Sequence, residues 1–284
     1  MAPQSPVITH AILAAPAVAT LGLYLKTRFP TVPGGDAGEL LAEACHLGTA
    51  HPPGYPLFTM LMHAVMKLAP SSPSFPPAAA ANSACCFMGA STAYFLSLAT
   101  HRFILGQGGG SERVEEIAPY AAALSGSMFA LSPLTWEYSV GAEVFALHNT
   151  FVAGILLFTA RVATSKGRIG RLFNACVGSL LCGLAMANQH TAMLFILVLV
   201  PYVAFVVFVR GREDLKMLGA LAFLFFCGLA PYAYLVYASL GVRDGSWGDM
   251  TTFEGLKRHV FREEVRSERR GRVQESAACA SHSF

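Results

Sequence analysis

Seven stretches of this chain carry no Asp, Glu, Lys or Arg: residues 7–25, 78–100, 118–136, 144–160, 172–187, 191–209 and 217–240. Together they hold 137 of the 284 residues, so all 37 charged side chains fall in the other 147, at a density of 25% that suits an ordinary water-facing surface. A hydrocarbon layer needs roughly 20 helical residues to cross, with ~17 to 25 tolerated, and six of the seven runs reach that length. The run 172–187 is marginal. Membrane-spanning strands would be about ten residues long with alternating polarity, whereas these runs are continuously apolar. The expectation is an all-α polytopic membrane protein with about seven transmembrane helices.

Composition agrees: 54% of residues are apolar and only 13% charged. A net charge of +3 is too small to drive nucleic-acid binding, so no nucleic-acid partner is expected. The first run reads as an anchor and not a cleaved leader, because no Lys or Arg precedes it while Lys26 and Arg28 follow it. With the N-terminus cytosolic, the cytosolic connections hold nine Lys and Arg (two in 102–113, four in 161–171, three in 210–216) against three in 26–77. The positive-inside rule favours that orientation, although eight Lys and Arg after residue 240 argue against it. Five of the seven cysteines lie in spans, and no metal-binding cysteine spacing is present; no metal site is expected.

Residues 26–77 are too long for a simple hairpin and too polar for a span, and long loops are usually functional. Pro33, Gly34 and Gly35 stop the first helix, and a helical pattern starts after Asp36 with Leu40, Leu41, Ala44 and Leu47 inward. Asp36, Glu39 and Glu43 then share a face. Asp36 with Glu39 three residues on has the spacing of a capping box, which would involve no chemistry; the alternative is a carboxylate held at the membrane surface as a general base. Spacing alone leaves both open. His51-Pro-Pro-Gly-Tyr-Pro56 fixes a turn, and the apolar stretch after it, residues 57–68, is too short to cross and reads as an interfacial helix. His51 is open to a bland reading as a turn residue. Glu143 starts the fourth span, and Asn188-Gln-His190 separates the fifth from the sixth, all on the side of Asp36. Polar groups at that depth are costly unless they meet water, a partner or a ligand.

Val32-Pro-Gly-Gly-Asp-Ala-Gly-Glu-Leu40 together with Gly48-Thr-Ala-His-Pro-Pro-Gly-Tyr-Pro-Leu57 closely resembles the first loop of the eukaryotic transmembrane protein O-mannosyltransferases that modify IPT domains of plexins and related receptors. Ala142-Glu-Val-Phe-Ala-Leu147, Asn188-Gln-His-Thr191, Trp247-Gly-Asp249 and His259-Val-Phe-Arg-Glu-Glu264 add weaker matches, over roughly residues 5 to 264. The resemblance implies a GT-C glycosyltransferase fold, multi-pass in the endoplasmic reticulum membrane, moving mannose from dolichyl phosphate mannose to Ser and Thr hydroxyls of folded acceptors in the lumen. The lipid-linked sugar would be a substrate, with no cofactor. It maps the catalytic base onto Asp36, with Glu39 as second candidate. His51, Tyr55, Glu143, Asn188, His190 and Arg262 are the substrate-binding candidates, and among them His51, His190 and Arg262 are the groups available to the departing phosphate.

The pattern departs from the family after Glu264. Residues 1–264 are expected to form the transmembrane module, and 265–284 a divergent, disordered tail, which leaves this short form with little or no activity. Two competing readings are a noncatalytic scaffold derived from the transferase and a polytopic transporter. The transporter is disfavoured because the spans hold no charge and no repeat.

Overall fold

The computed structural model describes residues 5–70, 72–107, 110–241 and 245–263. Glu264 and the expected tail 265–284 lie outside the described residues.

The described residues form an all-helical bundle. Five helical segments are candidates for crossing: α1 (Pro6–Thr27), α4 (Pro77–Gln107), α7 (Val144–Thr164), α8 (Arg168–Asn188), and α9 (Ala192–Ala204) continued by a π-helical turn (Phe205–Arg210). The sixth, α10 (Lys216–Gly228) with α11 (Tyr232–Ser239), is interrupted at Leu229–Pro231, where proline has no amide proton to continue the ladder. The expected third span is not the straight run 118–136. Helix α5 (Glu112–Ala130) begins six residues earlier, and a 69° bend separates it from the short α6 (Pro133–Ser139). Pro133 explains the bend: its ring conflicts with a continuing helix, whereas at the start of a new helix its missing donor costs nothing. The seven expected crossings are reached when this bent pair counts as one.

Small residues set the packing. Helix α4 buries Ala79, Ala80, Ala81, Ala90 and Ala93 between its neighbours, and α7 runs through the middle of the bundle. Where α8 crosses α10, Gly183 and Gly228 lie so close that a Cβ on either would overlap the other helix's backbone. With lipid on the outside there is little hydrophobic drive between helices, so close backbone approach supplies the contact.

Three further short helices lie among the described residues: α2 (Ala37–His46), α3 (Pro56–Leu68) and α12 (Phe253–Val260). Helix α3 is the expected short apolar helix. It buries Phe58, Thr59, Met62 and Met66 against the bundle and leaves Met60 and Leu68 exposed. At one end of the bundle α2, α3, the start of α7, the end of α8 and residues 245–263 meet. At the other end, Glu213 accepts from Arg168 (2.8 Å) and Arg171 (2.9 Å), tying the start of α8 to the turn before α10.

Candidate active site

The loop leaving α1 is pinned before it reaches α2. The buried Asn82 amide donates to the carbonyls of Phe29 and Thr31, each at 2.8 Å, and the Phe29 amide donates to Val140 at 3.1 Å. These bonds satisfy backbone groups that no helix serves. They also deliver Gly34, Gly35 and Asp36 to the mouth of the site.

Asp36 occupies the N-cap position of α2, yet its side chain makes no capping hydrogen bond and is 66% exposed. Glu39 does not reach back to the Asp36 amide either. Its carboxylate accepts from the backbone amide of His51 at 2.6 Å and from His51 Nδ1 at 3.1 Å. The capping box suggested by the spacing does not form. Glu43 also leaves the shared face: it is buried and accepts from Ser246 Oγ at 2.5 Å.

The Glu39 contacts orient the imidazole. A carboxylate only accepts, so Nδ1 carries the proton and Nε2 is turned toward Tyr55 Oη at 3.3 Å and Asp36 Oδ2 at 3.8 Å. The hydrogen bond it donates to Glu39 raises the pKa of His51 above its usual value, against the opposing effect of burial. Burial pushes Glu39 upward in turn, but the bonds to His51 outweigh it and hold the carboxyl below its usual value. His51 is therefore part of a bonded cluster and not a bare turn residue. Tyr55 packs edge-on to it at 5.2 Å, and Arg262 donates to Tyr55 Oη at 3.1 Å.

Glu143 stands at the N-cap of α7 with its carboxyl against Gly35 and the first amides of α2. Burial, and next the charge of Asp36, raise its pKa to about 7, although the amides of Asp36 and Ala37 favour the ionised form. Asp36 and Glu143 are thus two carboxyls of one mouth with different environments, an arrangement that separates acid and base roles.

The remaining candidates form the wall. His190 donates through Nε2 to Tyr232 Oη (2.6 Å), which donates to the Met186 carbonyl (3.0 Å). Burial lowers the pKa of His190, and the nearby Arg262 charge adds to this. Asn188 is almost fully buried and donates to the Val144 carbonyl at 3.1 Å, which fixes the end of α8 to the start of α7. That contact makes it a support for Glu143's helix. Among the described residues no three His, Cys, Asp or Glu side chains are arranged to hold a metal ion.

A clamp closes over the first loop from the far end of the chain. Tyr234 Oη donates to the Gly48 carbonyl (2.7 Å), the Trp247 amide donates to Thr49 (2.9 Å), and His259 Nε2 lies 3.2 Å from the Ala50 carbonyl. Gly48 fits because a Cβ there would overlap the Glu43 carboxylate and Ser246. Ser246, Tyr232 and Tyr234 carried no sequence signal, since their partners are remote in the chain; the Trp247 and His259 blocks marked the segment but not its contacts.

These features define a multi-pass membrane protein that gathers carboxylates, imidazoles and an arginine at one end of its helices, a class suited to chemistry at a membrane surface. A family model described as the Protein O-mannosyl-transferase TMEM260 N-terminal domain matches residues 36–216, and the chain belongs to this family. It is 37% identical over 235 residues to the Mus musculus protein named Protein O-mannosyl-transferase TMEM260, covering 82% of this chain and 31% of that one. A Dictyostelium discoideum protein of the same name is 31% identical over 255 residues, covering 85% and 29%. The chain therefore spans about a third of the length of these curated relatives. No solved structure matches it.

Proposed function

We propose that this chain forms the membrane-embedded catalytic mouth of a GT-C-type protein O-mannosyltransferase, taking mannose from dolichyl phosphate mannose to Ser or Thr hydroxyls of folded acceptors such as IPT domains on the lumenal side of the endoplasmic reticulum. The observation that carries this reading is Asp36: a carboxylate at a helix start that is neither capped nor sequestered, with His51 and Glu143 beside it. A hydroxyl is a weak nucleophile near neutral pH and needs a base in reach as it attacks. Asp36 accepts the hydroxyl proton, the new C–O bond forms at the anomeric carbon, and the bond to phosphate breaks from the opposite face, inverting the centre.

The departing lipid phosphate carries its electron pair as negative charge. His51, with its raised proton affinity, and Arg262 are the groups that meet it, and Tyr55 links the two. Glu39 holds His51 in orientation. The donor is a substrate, and the reading calls for no resident cofactor.

A noncatalytic scaffold derived from the transferase is the second reading. The test uses two measurements. Donor retention is measured on the chain itself with dolichyl phosphate mannose, and mannose transfer to an IPT-domain acceptor is measured on a full-length protein carrying this segment, with and without Asp36→Asn. Asn preserves the shape of the side chain, so folding and donor retention should persist while transfer falls by ~100-fold or more. Undiminished transfer by the Asn variant would remove Asp36 from the role. Transfer absent from the unsubstituted full-length protein, with donor retained, would favour the scaffold.

A further inference from the structure

The end of the bundle opposite the candidate active site holds a cavity of about 620 Å³ between the end of α4, the turn after α7 and the π-helical end of α9. Three cations reach it from three separate parts of the chain: Arg102, Lys166 and Arg210. Among the described residues no carboxylate lines it, and none of the three is in an ion pair. The contrast with their neighbours is informative. Arg168 and Arg171 are both satisfied by Glu213, so that carboxylate is committed to them and not to the cavity.

Like charges gathered around one cavity repel unless an anion lies between them. The lining is also amphipathic, with Leu105 and Tyr202 beside the cations, toward the ends of three candidate spanning helices. A free anion has no use for the apolar side; a lipid headgroup with the start of its acyl chains uses both. Basic pockets between helix ends are the sites at which polyanionic lipid headgroups dock. Three converging cations exceed what a singly charged headgroup needs.

We infer that this cavity is a regulatory or structural lipid site, separate from the sugar-transfer chemistry, for an anionic lipid whose headgroup carries a phosphate monoester. Arg102 and Arg210 grip the phosphate oxygens, Lys166 supplies a further charge, and the lipid's apolar part lies along Leu105 and Tyr202.

The test is native mass spectrometry of the whole chain released from nanodiscs of phosphatidylcholine containing equal small fractions of phosphatidylserine and phosphatidylinositol 4-phosphate. The expected result is selective retention of the phosphoinositide, one per chain. The triple variant R102A/K166A/R210A should lose retention on the order of a hundredfold, at about fivefold per cation. K257A/R258A, at the other end of the bundle, should retain it fully. The charge-preserving R102K/R210K should keep most of it, and thermal unfolding of each variant in the same detergent separates lost binding from lost fold. Equal retention of phosphatidylserine would overturn the phosphate-monoester assignment. Competition by soluble inositol 1,4-bisphosphate at the affinity of the lipid would show that the site takes free phosphate, overturning the lipid assignment. Retention unchanged in a folded triple variant would overturn the site.

Discussion

Glu143→Gln keeps the shape of the side chain that seats against the start of α2 while removing its ability to ionise beside Asp36. In the folded chain burial and the Asp36 charge lift this carboxyl from 4.5 to about 7. At ~1.4 kcal/mol per pH unit, that is ~3 kcal/mol of preference for the protonated form. Glu143 is only half-buried, and solvent screening reduces the expected effect to on the order of 1 kcal/mol. The sign follows from linkage. The folded value lies above the unfolded one, so the folded chain holds this proton more tightly; the stabilising contribution is complete below about pH 4.5 and is lost as the pH rises through about 7. Thermal unfolding of both chains in one detergent, at half-unit steps from pH 5 to 8, reads the difference, and the contribution of His51 largely cancels between them. The Gln variant should gain on the unsubstituted chain by roughly 2–4 °C across that range. A difference that stays flat with pH, or a Gln variant that loses ground at the alkaline end, would refute the reasoning.

Glu39→Gln removes the main cause of the raised His51 pKa, so the His51 titration followed by NMR should move to lower pH. The pair is fully charged only above the Glu39 value and below that of His51, so the variant's stability loss should be largest near pH 5–6.5 and smaller at pH 8.5. Gly48→Ala places a methyl group into the Glu43 and Ser246 contact, and the resulting overpacking should cost ~1–3 kcal/mol in thermal unfolding. For topology, an N-glycosylation acceptor inserted in 161–171 should stay unmodified in microsomes, while one inserted at 69–76 should be modified; the reverse pattern would invert the orientation drawn from the loop charges.

The spans were legible in the sequence because the membrane imposes a local rule. A charged side chain in hydrocarbon is costly wherever its partners are, so runs without charge mark the helices before any contact is known. The same rule left the bend at Pro133 and the break at Pro231 inside runs that looked continuous, because proline is apolar and passes a composition test while failing a hydrogen-bonding one. The alternation of loops between the two ends then put Asp36, His51, Glu143 and His190 together, and the structure brings Asp36, His51 and Glu143 into one cluster, with His190 in its wall next to Arg262.

What the residues do there was decided by tertiary contacts. Asp36 and Glu39 have capping-box spacing whether or not the box forms; only the arrival of His51 within 3.1 Å of Glu39 draws that carboxylate away and leaves Asp36 open. The clamp is further from the reach of the sequence. Tyr234 to Gly48, Ser246 to Glu43, Arg262 to Tyr55 and His259 to Ala50 join residues 186 to 209 positions apart. Local chemistry determines where a chain enters and leaves the membrane, because the solvent changes there over a few residues. Which helix ends then meet is determined by packing across the whole bundle, and that packing gathered a loop of ambiguous carboxylates into one bonded cluster.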